Sequence, residues 1–178
     1  MLLHTEYPIG APKLRTKFNL NVSEISKVIA LPYVTTKDNK LRELQFKLIH
    51  NILFTKFKLL KIGKVDSSLC AFCSSDIETI DHLFITCQIT VQFWSELFKF
   101  IKNEIAINKR NILLGLFNEQ EPTISNLAIL IGKRVIYKCS LENKIPSLTM
   151  AINALRKCME IDGILNRDLG IWDFLSDN

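Results

Sequence analysis

Four residues of metal-ligating types stand close together near the middle of this 178-residue chain. Cys70, Cys73, His82 and Cys87 form the pattern C-x2-C-x8-H-x4-C. A Cys-x2-Cys turn can hold two sulfurs at the Zn–S distance of about 2.3 Å from one ion, and a histidine and a third cysteine complete a tetrahedron. Because four protein ligands leave no position for water or substrate, the pattern predicts one structural Zn²⁺ and no catalytic metal.

The alternative interpretation of this motif is a set of unrelated buried thiols and a core histidine. The ordered spacing and the polar loop between the pairs favour the metal site, in a reducing compartment. We expect acids of the loop to contact the ligands, because a ligating imidazole commonly donates its second N–H to a carboxylate. The candidate acids are Asp76, Glu78 and Asp81. Cys139 and Cys158 lie far from the motif and are expected to be small buried hydrophobes.

Composition favours a helical protein. The chain is 48% hydrophobic and 23% charged, which argues against intrinsic disorder. It has only 6 Gly and 5 Pro, too few for the frequent turns of an all-β sandwich or barrel. The predicted fold class is mainly α: a small helical domain built around a CCHC zinc knuckle, with a helical C-terminal extension.

Charge is distributed unevenly along the chain. Residues 1–64 carry 12 Lys or Arg and 4 Asp or Glu, a net charge of +8. Residues 65–98 carry 5 acids and no Lys or Arg, and residues 99–178 have a net charge of +2. We therefore divide the chain into a basic N-terminal arm with a short helix (1–36), a zinc-binding domain (37–105) and a helical extension (106–178).

In the first half, residues 1–20 are predicted to be an extended arm with little fixed structure. A short helix follows from Ser23, its N-cap, and ends before Pro32. Apolar spacing predicts a helix from Asp38 to about Leu53, with Ile52 on its inner face. Thr55 caps a second short helix with Phe57 and Leu60 inward and Gly63 as its left-handed C-cap. We call the two helices of residues 38–63 the basic hairpin.

Around and beyond the motif, further helices are predicted. Thr79 is expected to cap a short helix with His82 on its first turn and Leu83 and Phe84 facing the core. A long helix from Val91 to Ile105 is expected to pack its aromatic face on the basic hairpin. After a linker at residues 118–122, apolar spacing predicts one helix from Ile124 and a last one after Pro146.

The sequence contains no motif typical of an active site. The P-loop, the G-x-S-x-G elbow, H-E-x-x-H and the paired Asp of a polymerase palm do not occur. A zinc deaminase has H-x-E ahead of P-C-x-x-C, whereas here His82 follows the cysteine pair. We expect no enzymatic activity and no small-molecule substrate. Without a recognisable signal peptide or membrane span, the expected location is intracellular, in the nucleus, the cytoplasm or both.

Several segments together resemble a known family, the zinc-binding domain at the C-terminal end of LINE-type non-LTR retrotransposon reverse transcriptases. The resemblance rests on residues 41–53, 61–66, 69–73, 79–84 and 129–139, with Cys87 and Phe93-Trp94. It implies that Cys70, Cys73, His82 and Cys87 bind the metal and that the parent polyprotein is an RNA-directed DNA polymerase. Many relatives have Pro where this chain has Gln88. The family's endonuclease and polymerase palm are missing, which indicates a fragment, a remnant or a host-retained piece.

The leading functional hypothesis is a non-catalytic module that binds nucleic acid, with RNA first and DNA as a further partner. The remainder of a reverse transcriptase is another expected partner, and a membrane is not. The predicted contact residues are Lys37, Lys40, Arg42, Lys47, Lys56, Lys58, Lys61 and Lys64. The alternatives are a solvated helix face, a zinc-stabilised protein-interaction or structural module without nucleic-acid binding, and a vestigial reading frame.

Overall fold

Every regular element is a helix in residues 11–118 and 124–162, the part of the chain that this computed structural model describes. The α-helices are α1 (Ala11–Phe18), α2 (Val22–Thr35), α3 (Asn39–Ile49), α4 (Lys56–Lys61), α5 (Gln88–Phe100), α6 (Lys109–Leu114), α7 (Ile124–Glu142) and α8 (Leu148–Asp162). A π-helical turn, His82–Thr86, precedes α5. Pairing of the strand type is limited, in these ranges, to an isolated bridge between Leu69 and Ile77. The predicted fold class is confirmed.

The first described residues are helical, not extended. Helix α1 buries Leu14 in a small cluster with Leu20, with Leu114 at the end of α6 and with Phe117 just after that helix. The prediction of an arm with little fixed structure is therefore wrong for residues 11–18, because burial of Leu14 holds the segment in place. Residues 1–10 lie outside the described part of the chain.

Helix α2 begins two residues earlier than predicted, with Asn21 and not Ser23 as its N-cap. The backbone N–H of Glu24 donates to Asn21 Oδ1 at 2.9 Å, and the Glu24 carboxylate accepts from the Asn21 N–H at 2.9 Å. This reciprocal pair satisfies two amides at the helix start. The expected end before Pro32 is also wrong, since Pro32 is buried inside the helix, which runs on to Thr35. Its burial offsets the backbone hydrogen bond that a proline cannot donate.

The basic hairpin is shorter and more exposed than predicted. Asp38 caps α3 by accepting from the Lys40 N–H at 2.8 Å, but α3 ends at Ile49 and Ile52 is half exposed. Helix α4 has no buried residue, so Leu60 does not point inward. The reason is that Asn51 adopts φ +55° and redirects the chain, leaving six-residue α4 on the surface. Gly63 has φ +66°, as expected of a left-handed cap.

Helix α7 lies at the centre of the structure. Helix α5 packs on α7, α8 and the π-helical turn as its main neighbours, and not on the basic hairpin as predicted. It ends at Phe100, before Ile105. The predicted helices from Ile124 and after Pro146 are confirmed. Residues 119–122 of the predicted linker lie outside the described part of the chain. One apolar core runs from α3 through α5 and α7 to α8. The domain boundaries at 36 and 105 stay predictions.

The contact between α5 and α7 depends on Gly132. A Cβ atom placed there would lie 2.3 Å from Trp94 Cζ3 and 2.5 Å from Cη2. The indole of Trp94 is fully buried, so it has no free space into which it could move.

Lys133, the next residue of α7, is buried and joins α7 to α3. Its amine donates to Gln45 Oε1, and Gln45 Nε2 in turn donates to the Leu113 carbonyl at 2.8 Å. Burial lowers the pKa of Lys133 to about 7.

No helix in the described ranges is long and apolar enough to cross a bilayer.

Substitution Gly132→Ala should destabilise the protein. Forcing a methyl group against Trp94 typically costs about 1–3 kcal/mol, which exceeds the gain of about 1 kcal/mol expected from replacing a helical glycine by alanine. We expect a lower denaturant midpoint in urea unfolding. Because Trp94→Phe alone also removes the donor to the Phe84 carbonyl, the check is the coupling between the two sites: Gly132→Ala should cost less in the Trp94→Phe background than in the wild type. A single Gly132→Ala variant as stable as the wild type would contradict the close packing.

Substitution Lys133→Met should remove a pH dependence of stability. An unfolded lysine has a pKa of about 10.4, so between pH 7 and that value the unfolded chain binds the extra proton. Stability then rises with pH, by up to about 1.4 kcal/mol per pH unit from this group. Urea unfolding at pH 7.5 and 9 should show this rise reduced in Lys133→Met. The exposed neighbour Lys138→Met serves as control and should retain the wild-type slope.

Candidate metal centre

The first two candidate ligands lie on a tight turn. The Cys70 N–H donates to the Asp76 carbonyl at 2.8 Å, and the Glu78 N–H donates to the Ser68 carbonyl at 2.8 Å, which closes a small hairpin. At its tip the Ser74 N–H donates to the Cys70 carbonyl at 3.0 Å, and Ser74 has φ +54°. This reversal places the side chains of Cys70 and Cys73 on the same side of the turn.

The other two candidate ligands are brought together by a π-helical turn. The hydroxyl of Thr79 accepts from the His82 N–H at 3.0 Å, which confirms the expected cap. The Cys87 N–H then donates to the His82 carbonyl at 3.0 Å, a bond from residue i+5 to residue i. Such wide turns are rare and are frequently found at functional sites. The x4 spacing between His82 and Cys87 thus corresponds to one π-helical turn.

The four side chains converge on one point. The three sulfurs and one ring nitrogen all lie within 4.8 Å of one another. Cys70 Sγ and Cys87 Sγ are 3.9 Å apart, and Cys73 Sγ is 3.3 Å from His82 Nε2. Tetrahedral zinc with Zn–S bonds of about 2.3 Å and Zn–N bonds of about 2.0 Å requires separations of roughly 3.8 Å and 3.5 Å. The donor set and its spacing therefore fit Zn²⁺.

The surroundings of the cluster act differently on its thiols. Burial raises the pKa of Cys70 to about 12. Burial also disfavours the Cys73 thiolate, but backbone N–H groups of Ser75 and Asp76, together with His82, lower the pKa of Cys73 to about 6. Since zinc binds thiolates, a bound ion supplies the charge that stabilises the deprotonated form of the more buried sulfur.

Only one of the three loop acids faces the imidazole. A carboxylate oxygen of Asp76 is 3.9 Å from His82 Nδ1, and the Thr86 hydroxyl lies closer, at 3.3 Å. Asp81 instead pairs with Lys109. Of the three candidate acids, Asp76 is therefore the one that lies beside the ligating imidazole.

Glu78 has a different role, which the sequence did not reveal. Its carboxylate is buried and accepts from the Lys56 N–H at 2.9 Å, from the Ala71 N–H at 3.0 Å and from the Ser140 hydroxyl at 3.0 Å. It thereby joins the start of α4, the cysteine turn and α7. No spacing rule signals this role, because its partners lie 22, 7 and 62 residues away in sequence.

Behind the cluster the π-helical turn is anchored in the core. Leu83 and Phe84 are fully buried, as predicted. The Thr90 hydroxyl donates to the Leu83 carbonyl at 2.8 Å, and Trp94 Nε1 donates to the Phe84 carbonyl at 2.9 Å. Side chains of α5 therefore satisfy carbonyl groups of the turn that carries His82.

The eight predicted nucleic-acid contacts do not form one group of exposed amines. Arg42 donates to the carbonyls of Thr36 and Tyr33, and Lys47 pairs with Glu43. Lys56 donates to Asn143 Oδ1, and Lys58 to Asn51. The remaining four are exposed: Lys37, Lys40, Lys61 and Lys64. Lys61 lies over the Phe57 ring.

Metal analysis of the purified chain should give one zinc ion per molecule. Replacing zinc with Co²⁺ should give the visible absorption of tetrahedral thiolate coordination, and Cys73→Ser should lose it together with most of the metal affinity. Cys139→Ser, which alters a buried thiol outside the cluster, is the matched control and should keep both. Equal metal content in Cys73→Ser and the wild type would contradict the assignment.

Comparison with known proteins supports the same interpretation. Residues 17–94, which contain Cys70, Cys73, His82 and Cys87, match the family described as zinc-binding in reverse transcriptase. The match covers that domain and no catalytic domain of a reverse transcriptase. A search of curated proteins found no match. Residues 17–94 of this chain are therefore similar to the zinc-binding domain of reverse transcriptases, with all four candidate ligands inside the matched range.

Proposed function

We propose that this zinc-binding domain is a non-catalytic RNA-binding module of a LINE-type non-LTR retrotransposon reverse transcriptase. Cys70, Cys73, His82 and Cys87 hold one structural Zn²⁺. The observation that supports the proposal most is the zinc-type cluster, within a reverse transcriptase family match, beside a segment of net charge +8. The polymerase that such a module accompanies must hold an RNA template and DNA.

The role of zinc in this proposal is structural. The ion joins the cysteine turn to the start of α5. These two parts also contact α7, through the hydrogen bond between Glu78 and Ser140 and through the Trp94 ring beside Gly132. With all four positions of a tetrahedron filled by protein atoms, it activates no water. Zinc thereby fixes the basic hairpin, which precedes the cysteine turn, relative to the helical core.

RNA contacts in this proposal are made mainly to phosphates. Exposed amines such as Lys40, Lys61 and Lys64 offer point charges without the fixed geometry that base recognition needs. Such contacts position a strand and do not specify its sequence, and DNA is a second ligand on the same grounds.

A second candidate function is docking onto the rest of a reverse transcriptase. Residues 46–62 expose several large apolar side chains within one short segment. Single exposed apolar residues are normal on a protein surface, whereas a group of them is typical of an interaction site. They are Phe46, Ile52, Phe54, Leu60 and Ile62, each 40–55% exposed. This function does not require RNA binding, so a measurement of RNA affinity distinguishes the two candidate functions.

Fluorescence anisotropy with a 20-nucleotide single-stranded RNA tests the proposal on the zinc-loaded full chain. Affinity should fall steeply between 50 and 300 mM KCl, because bound phosphates release counterions, with a log–log slope of about −0.7 per contact. Lys40→Gln combined with Lys61→Gln and Lys64→Gln should weaken binding and flatten that slope.

The matched control is Lys99→Gln combined with Lys102→Gln, two exposed lysines at the end of α5. This variant should bind RNA like the wild type. A folded, zinc-loaded chain that binds no RNA at 50 mM KCl, or binds it independently of salt, would overturn RNA binding and favour docking.

A further inference from the structure

A cleft lies between α7, α8 and the start of α3, on residues that are mostly outside the family match. Its volume is about 760 Å³. Six cationic side chains line it, against two acids, Asp38 and Glu142. The six are Lys37, Lys40, Arg134, Lys138, Lys144 and Lys157.

Both acids of the cleft are already paired with its cations. Asp38 accepts from Arg134 at 3.2 Å, while Glu142 lies 2.9 Å from Lys144 and 3.7 Å from Lys138. Lys40 and Lys157 are exposed, and neither amine has an ion pair among the described residues. The cleft therefore presents a surplus of positive charge to any ligand that enters it.

The floor of the cleft is apolar. Ile131, Val135 and Ala154 line it together with Met150 and the two thiols, Cys139 and Cys158. No aromatic side chain is among the lining residues, so bases cannot stack on a ring as they do in many single-strand-binding grooves. An apolar floor below a cationic rim suits a ligand with flat apolar faces and anionic links, which is the chemistry of a polynucleotide strand.

The size of the cleft selects the form of the strand. Cavities of about 300–1,000 Å³ enclose small-molecule ligands, so this one accommodates one or two nucleotides and excludes a double helix. Phosphate contacts on the rim would contribute affinity that depends on salt and little on sequence.

We propose that this cleft is a binding site for a short stretch of single-stranded RNA, with phosphates at Lys40, Lys138 and Lys157 and bases or sugars over the apolar floor. The inference rests on the proposed RNA binding and names its site. It adds α7 and α8 to the exposed amines of the basic hairpin as a surface that contacts the strand. Of the eight residues predicted from sequence, only Lys37 and Lys40 line the cleft.

Two pairs of substitutions test the location on the full chain. Lys138→Gln with Lys157→Gln removes two rim charges. The control pair, Lys99→Gln with Lys102→Gln, removes two exposed charges outside the cleft. Both are surface changes, which thermal unfolding should confirm. For a 10-nucleotide single-stranded RNA at 100 mM KCl, we expect the cleft pair to lose about tenfold in affinity and about 1.4 in salt slope; the control pair should lose at most about twofold.

A third variant, Asn153→Trp, fills the cleft without changing its charge, since Asn153 is exposed and lines it. It should weaken RNA binding as well. Equal losses in the two lysine pairs, with no effect of Asn153→Trp, would overturn the cleft and leave RNA binding itself intact. A wild-type chain that binds no RNA would instead overturn the proposed function.

Competition experiments identify the ligand form. Single-stranded RNA should displace the labelled strand far better than a duplex of the same length, adenosine monophosphate or poly-glutamate. Equal displacement by the mononucleotide would indicate a free nucleotide as the ligand. Equal displacement by the duplex would indicate a double helix, and equal displacement by poly-glutamate would indicate an acidic protein. Each of these three results would overturn the proposal for a single strand.

Discussion

The i→i+5 hydrogen bond between Cys87 and His82 is the contact on which the centre of this structure depends. An α-helical turn would place Thr86, and not Cys87, one turn beyond His82. The wider turn puts the sulfur beside the imidazole, and it also disturbs the regular ladder of backbone bonds. Thr90 and Trp94 donate to the carbonyls of Leu83 and Phe84 in that turn. Trp94 can do so only because Gly132 leaves room for its ring. The metal cluster is thereby coupled to α7, a helix that begins outside the family match.

Glu78 likewise connects the metal cluster to α7, in this case through the cysteine turn. One buried carboxylate accepts hydrogen bonds from α4, the cysteine turn and α7. Charge-assisted bonds to a buried carboxylate are worth more than neutral ones, and their loss leaves a costly unpaired charge. The short, exposed helix α4 has little packing of its own, so its position follows from this contact. A glycine, a tryptophan and a glutamate thus connect the metal cluster with the helical core, in addition to the buried Leu83 and Phe84.

The parts of the structure that could be predicted are those with a local signal. The CCHC spacing, the helices from Ile124 and after Pro146, and the Gly63 cap each depend on residues close together in sequence. The errors arise where distant contacts decide. Leu14 is held by the end of α6, Pro32 remains helical because it is buried, and α5 packs on α7 in place of the basic hairpin. The partners of Glu78 are distant in sequence, so its role is visible only in the folded chain, and the sequence identifies it only as one of three candidate acids near the ligands.

The position of charges on the surface is also hard to predict from sequence. Counting by segment assigns +8 to residues 1–64 and only +2 to residues 99–178, which points to the first third as the contact surface. Folding redistributes these charges. In the first third, Arg42, Lys47 and Lys58 are held by contacts within the protein. In the last third, α7 buries Lys133 towards α3 but places Arg134 and Lys138, one turn apart, in the cleft beside α8. Of the acids described in that third, only Glu142 lines the cleft. A nearly neutral segment can therefore contribute most of a cationic concave surface, because a ligand meets the charges that share a face and not those that share a stretch of sequence.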